Sequence, residues 1–205
     1  ESGITSFKLY MAYDALRLDD GAIYEILKSA KNLGGLVGVH CENGDLIKAY
    51  TKMLLEQEQR TPSAHPLSRP DMIEAEAISR FLDIAYMVDV PVHIVHLSTQ
   101  KGLECIRRAR KRGQRVYVET CPQYLLLDEK LYHLKQFESA KYVLSPPLRS
   151  KQDQEALWEG IQEGEIQTIS TDHCAFNFES QKKLGIDDFT QIPNGIPGIE
   201  HRPQL

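Results

Sequence analysis

The amino-acid sequence predicts an α/β protein, specifically a (β/α) barrel. Three observations carry this. Short apolar segments of strand character alternate with amphipathic helical segments, the order expected of βαβ units around a parallel sheet. No GxGxxG turn follows the first strand, whereas a dinucleotide-binding doubly wound sheet would place one there. Finally, residue types able to bind metal or move protons end one strand after another, the position at which a (β/α) barrel builds its active site.

Residues 5–11 (TSFKLYM) are β-favouring and alternate in polarity. Asp19-Asp20 can cap a helix over 21–33, with Ile23, Ile26, Leu27 and Ala30 at helical spacing and Gly34-Gly35 ending it. Residues 36–40 (LVGVH) form the second strand. A polar connection follows, with a helix over 45–59 and the loop TPSAHPLSRP. Pro70-Asp71 opens a helix to Val88, whose apolar side is Ile73, Ala77, Phe81, Ile84 and Val88. Residues 91–97 (PVHIVHL) make the third strand, 101–112 a helix stopped by Gly113, and 115–120 (RVYVET) the fourth strand. After a loop-rich stretch, Ser150 caps a helix over 152–162 and 166–171 (IQTIST) is the fifth strand. Beyond Cys174 the chain reads as loop, rich in Gly, Pro and Asp.

Composition narrows the class further. The 205 residues carry Lys+Arg 24 against Asp+Glu 29, a net charge of −5, with 41% hydrophobic residues, as in ordinary soluble domains. The charge is mildly acidic and dispersed, so nucleic acid is not an expected partner. No apolar run approaches the roughly 18 residues of a membrane helix, so no membrane is expected either. Cysteines 41, 105, 121 and 174 form no CxxC pair, which argues against a zinc ribbon or disulfide framework and for a reducing, cytoplasmic setting. The start at Glu1-Ser2-Gly3 and the end at Ile199 to Leu205 both read as cuts through a longer protein.

Lys8, His40, His96 and Asp172 are the residues of chemical interest. Lys8 lies between Phe7 and Leu9; it either faces water from an edge strand or is a desolvated, neutral amine. His40 ends LVGVH and His96 ends PVHIVHL. Strand period two puts His93 and His96 on opposite faces, with His96 directed inward. Asp172 follows IQTIST, with His173 pointing the other way. One strand-end histidine is weak evidence. Three ligand-type residues at equivalent positions, with Lys8 on another strand, suit zinc or a similar divalent ion. His65 and His133 fall in polar connections and are expected to be solvated, Cys41 packs as a small hydrophobe, and the run Arg107–Arg112 is a solvated helix C-terminus.

Six strings occur in one order: Phe7-Lys8-Leu9-Tyr10-Met11-Ala12-Tyr13, Val39-His40-Cys41-Glu42-Asn43, Val95-His96-Leu97-Ser98, Leu144-Ser145-Pro146-Pro147-Leu148-Arg149, Ser170-Thr171-Asp172-His173-Cys174 and Ile192-Pro193-Asn194-Gly195-Ile196-Pro197-Gly198. Together they resemble the dihydropyrimidinase/D-hydantoinase branch of the cyclic amidohydrolases over essentially the whole chain. The resemblance implies a (β/α)8 TIM barrel of the metal-dependent amidohydrolase type with two divalent metals, usually zinc. It implies that Lys8 is carboxylated by CO2 to N6-carboxylysine and bridges the metals, that His40 and His96 bind one of them, and that Asp172 binds the other and acts as general acid/base. Tyr13 would hydrogen-bond the developing oxyanion, and Ser145 and Asn194 would hold the amide groups of a cyclic ureide or imide substrate. The product would be an N-carbamoyl amino acid, and the parent protein a homotetramer.

One feature of that family is not found. Its first two metal ligands form an HxH pair on an early strand, and no HxH occurs here. Residues 1–205 therefore read as one partial barrel domain carrying the later strands, without the early strands and the small β-rich domain. Such a chain is expected neither to close a barrel nor to turn over substrate alone. An allantoinase-like enzyme would use much the same ligands. A non-catalytic dihydropyrimidinase-like scaffold protein would have lost some of them, yet each ligand position covered here holds a competent residue.

Overall fold

The computed structural model describes residues 3–200 and 203. Glu1-Ser2 and the end at His201, Arg202, Gln204 and Leu205, on which the truncation reading partly rests, lie outside the described residues. The elements run β1 (Ser6–Tyr10), α1 (Asp20–Leu33), β2 (Leu36–His40), α2 (Gly44–Glu56), α3 (Ala64–Leu67), α4 (Asp71–Val88), β3 (Val92–Ile94), α5 (Gln100–Lys111), β4 (Val116–Thr120), α6 (Pro122–Leu126), α7 (Lys151–Gln162) and β5 (Thr168–Ile169), with short 3-10 turns elsewhere.

Local chemistry sets the helix ends. The Asp19 carboxylate accepts the Ala22 N–H at 2.7 Å, and Gly34 closes α1 with φ at 68°. The latter is a left-handed residue of the kind glycine adopts without a Cβ penalty. Ser150 and Asp153 form a reciprocal capping box on α7. The same Asp153 accepts the Gln100 N–H at 2.9 Å, tying the starts of α7 and α5 together.

All five strands are parallel and lie in chain order, β1-β2-β3-β4-β5. A doubly wound sheet reverses direction at a switch point. Here the winding never reverses, so the sheet is an arc of a barrel. Val37, Val39, Val92, Ile94, Val116 and Val118 point outward and are buried in one core with Ile23 and Leu27 of α1, Ile78, Phe81 and Leu82 of α4, and Leu103 and Ile106 of α5. α4 packs against both α1 and α5. Gly102 permits the second contact: a Cβ there would lie 2.7 Å from Leu97 Cδ1 and 2.8 Å from Ile78 Cδ1. The alternate residues, beginning with Lys8, Tyr10, Gly38 and His40 in register, line the inner face.

Several expectations are corrected. β3 stops at Ile94 and β5 spans two residues, because the chain turns sharply before His96 and Asp172. The outward/inward alternation therefore fails at 93–96: His93 pairs with Gly38 on the inner face, and His96 reaches the same side beyond the turn. His65 is buried, its Nε2 bonded to the Leu144 carbonyl at 2.7 Å. A polar connection hides it because α3 folds inward. The basic run is not a freely solvated face either. Arg107 grips Glu165 with a 2.6 Å contact, and Arg110 bonds the Val116 and Glu165 carbonyls. The loop-rich stretch after β4 also holds the short helix α6. Among the described residues no helix is long and apolar enough to cross a membrane.

Candidate active site

Lys8 lies on β1, His40 ends β2, His96 follows β3 and Asp172 follows β5, so all four stand toward the C-terminal edge of the sheet. A cavity of about 260 Å³ there is lined by Lys8, Tyr13, His40, Ser145, Asp172 and Asn194, among others. A larger groove of about 700 Å³ lies on the helical layer between α4 and α5. Its carboxylates Glu76, Asp83 and Glu104 sit among Arg80, Lys101 and Arg108, as charges on solvated helix faces do.

Three of the seven non-glycine residues with positive φ among the described residues stand at the same edge. Tyr13, His96 and Asp172 have φ of 66°, 41° and 44°, a left-handed region that side chains with a Cβ rarely occupy. Each costs on the order of 1–3 kcal/mol and persists only where the surroundings over-determine it, commonly at functional sites. The turn at each residue redirects its side chain after its strand has ended.

At the centre, His40 Nδ1 faces His96 Nε2 at 2.9 Å, both rings buried. His40 Nε2 lies 2.8 Å from Glu42 Oε2. A carboxylate accepts, so Nε2 carries the proton and Nδ1 presents its lone pair toward His96. Burial, with His40 second, holds His96 well below the usual histidine range, so it is neutral. Its Nδ1 has no hydrogen-bond partner. With that tautomer His96 Nε2–H donates to His40 Nδ1, and the two ring nitrogens, one ring oriented by a carboxylate, are a donor pair that would fit a divalent metal and its outer shell once that proton is displaced. Among the described residues no group of three or more His, Cys, Asp or Glu side chains is spaced for a metal; the remaining donors of the site would come from Lys8 and Asp172, farther along the edge.

Lys8 Nζ lies 3.8 Å from Asp172 Oδ1, with side chains 37% and 43% exposed, and 5.3 Å from the Tyr10 ring centre. Of the two placements the sequence allows for Lys8, the structure shows the edge-strand one, partly open to water. β1 is the edge of the sheet described, so one flank of Lys8 remains open. The Tyr13 ring packs 5.1 Å from His40, and burial, reinforced by the Glu42 charge, pushes its hydroxyl up to about 12. Ser145 Oγ is buried beside the Tyr13 hydroxyl. Asn194 precedes Gly195, whose φ of 153° and contact with the Cys174 carbonyl leave no room for a Cβ. Gly195 N–H donates to the Val143 carbonyl at 3.0 Å, fastening the Asn194 loop to the Ser145 loop.

Beneath the histidines lies a buried polar layer to which the sequence pattern gave no role. Glu42 accepts from Arg69 Nη1 at 2.9 Å. Burial alone would raise the Glu42 carboxyl, but the Arg69 charge and His40 outweigh it and hold it below the ordinary carboxylate range. Arg149 donates to the Arg69 carbonyl and to Ser98 Oγ. Ser98 and Thr99 donate to Glu74, a carboxyl that burial pushes up to about 7 against the opposing Arg149 charge. The layer links the residues after His40 to those after His96. The spacing of Glu42, two residues past His40, was the one local signal for it.

No family model matches the chain. It is 48% identical over 206 residues to a D-hydantoinase of Geobacillus stearothermophilus, covering 100% of this chain and 44% of that protein. Among solved structures it is similar to the D-hydantoinase of Bacillus sp. AR9, with TM-score 0.95 and 46% identity over 97% of this chain and 43% of the other. It is likewise similar to the dihydropyrimidinase of Brevibacillus agri NCHU1002, with TM-score 0.95, 46% identity and the same coverage. The chain thus spans 44% of the length of the curated relative it matches.

Proposed function

The chain belongs to the D-hydantoinase/dihydropyrimidinase family, homologous over its whole length to part of its members, and from that premise we propose that the protein carrying it hydrolyses the cyclic amide bond of dihydropyrimidines or hydantoins to N-carbamoyl amino acids. The observation that carries the reading is the buried pair His40 Nδ1 and His96 Nε2, 2.9 Å apart, with His40 lining the same cavity as Lys8 and Asp172. The whole of 1–205 is assigned to one barrel domain of this type.

In this reading His40 and His96 would hold one divalent ion, zinc by preference, and Asp172 a second, with Lys8, carboxylated by CO2, as a further donor. Carboxylation needs the unprotonated amine, whose nitrogen attacks CO2 and gives up one proton to solvent, yielding an anionic carbamate. Such ions supply Lewis acidity, activating water and polarising a carbonyl.

The remaining work falls to the chain's own side chains. Tyr13, kept protonated by its raised pKa, donates a hydrogen bond to the oxygen on which negative charge develops. Asp172 Oδ takes the proton from the attacking water and returns it to the departing ring nitrogen. The Ser145 and Asn194 loops orient the ring's amide groups, largely through backbone atoms. A homotetrameric assembly and a cytoplasmic location go with the same family reading.

Metal analysis of the full-length protein that carries residues 1–205, with side-by-side hydrolysis of dihydrouracil, hydantoin and allantoin, tests the proposal. Two bound metals and turnover of the first two substrates are expected. A metal-free protein inert toward all three refutes it.

A further inference from the structure

We infer that Lys182 is a positioning residue whose side chain pins together the two loops carrying Ser145 and Asn194. The inference rests on the proposed role of those loops in holding the substrate ring.

Lys182 begins the 3-10 turn Lys182–Gly185 and is 2% exposed. A lysine so buried ordinarily has a carboxylate partner. Among the described residues none lies within ion-pair distance of it. Instead its Nζ donates to the Val143 carbonyl at 2.7 Å and the Pro193 carbonyl at 2.6 Å, over the Phe176 ring at 5.4 Å. Val143 lies two residues before Ser145, and Pro193 immediately precedes Asn194. One amine thus spans the roots of both loops.

Its surroundings make this a clamp rather than a filler of space. The Val143 carbonyl also accepts the Gly195 N–H at 3.0 Å. The next carbonyl, of Leu144, is held by His65, and that of Pro146 by the Tyr124 hydroxyl at 2.7 Å. The Ser145 segment is therefore fixed on both sides, while the Asn194 loop is tied to it at the Gly195 N–H and through Lys182. The energetic cost of burying an amine is offset by satisfying two loop carbonyls that no other side chain reaches.

The test is Lys182→Met, which keeps chain length and apolar bulk but removes both hydrogen bonds, with Lys182→Arg as the conservative comparison. In the full-length protein, with dihydrouracil or hydantoin, Lys182→Met is expected to raise KM about tenfold while kcat and metal content change little, the pattern of lost ground-state positioning. Amide exchange at Gly195 should accelerate, while exchange in β2 and β4 stays as it was. Lys182→Arg should recover most of the KM. A purely structural lysine would lower thermal stability and active fraction with KM and Gly195 exchange unchanged, and that outcome overturns the inference. Absence of turnover by the unsubstituted protein would sink the proposed function alone, since Gly195 exchange in Lys182→Met still decides for or against the clamp.

Discussion

Glu42 Oε2 lies 2.8 Å from His40 Nε2 and 2.9 Å from Arg69 Nη1, so one buried carboxylate both orients a metal-competent histidine and anchors a buried guanidinium. Outer-shell carboxylates of this kind fix the tautomer of the ring and raise its basicity.

Glu42→Gln keeps the shape but removes the charge. Metal affinity should fall about 10- to 100-fold, the usual effect of losing such a partner. Arg69 would be left as a buried cation, so thermal stability should fall as well. Titration of the apo-protein with zinc, alongside a melting curve, checks both. Unchanged affinity would detach Glu42 from the site.

His65 makes folding stability depend on pH. Burial first, and the Arg69 charge second, pull its pKa from 6.5 to about 3. In the unfolded chain it regains its ordinary value. Between the two values the unfolded state binds a proton that the folded state does not, so stability falls as pH falls. This contribution is fully present above about 6.5 and is lost at up to about 1.4 kcal/mol per pH unit below it. Denaturant midpoints measured from about pH 7 to about pH 5 should drop more steeply for the native sequence than for His65→Gln. Parallel slopes would exclude His65 as the source.

The core offers a simpler expectation. Leu103 of α5 is fully buried and packs against Gly160 of α7. Leu103→Ala should cost about 2–5 kcal/mol, because the cavity left cannot fully collapse. Urea unfolding measures it. The ligand residues lie elsewhere, so metal content of the folded fraction should not change.

Much of this architecture was legible in the sequence. β2 and α4 fall where the pattern put them, since each has one unbroken period and a clear stop: an apolar run ending in His40, and a helix opened by Pro70-Asp71. The positions of His40, His96 and Asp172 at the ends of their strands were legible for the same reason. What escaped depends on three dimensions. Strand periodicity assumes a straight strand, and it misplaced His93 because β3 ends early and the chain turns at His96. His65 and Lys182 sit in polar stretches whose local composition signals exposure, and only the packing of distant loops buries them. The Glu42, Arg69, Arg149 and Glu74 layer joins residues from separate connections, and no spacing rule links them.

Lys8 carries the last prediction. Its amine lies 3.8 Å from Asp172, on the inner face in register with Gly38 and next to the His40 row. As a cation it cannot ligate a metal. As a carbamate it offers two oxygens and a negative charge where dications need both. Protein prepared with 13C-bicarbonate and zinc should therefore show a carbamate carbonyl signal by NMR that is absent from Lys8→Ala. The same variant should lose at least one metal per chain and its hydrolytic activity, whereas fold and melting temperature should change little, because a side chain this exposed contributes little to packing. Retained metal and activity in Lys8→Ala would remove Lys8 from the site and leave His40, His96 and Asp172 to account for the chemistry without it.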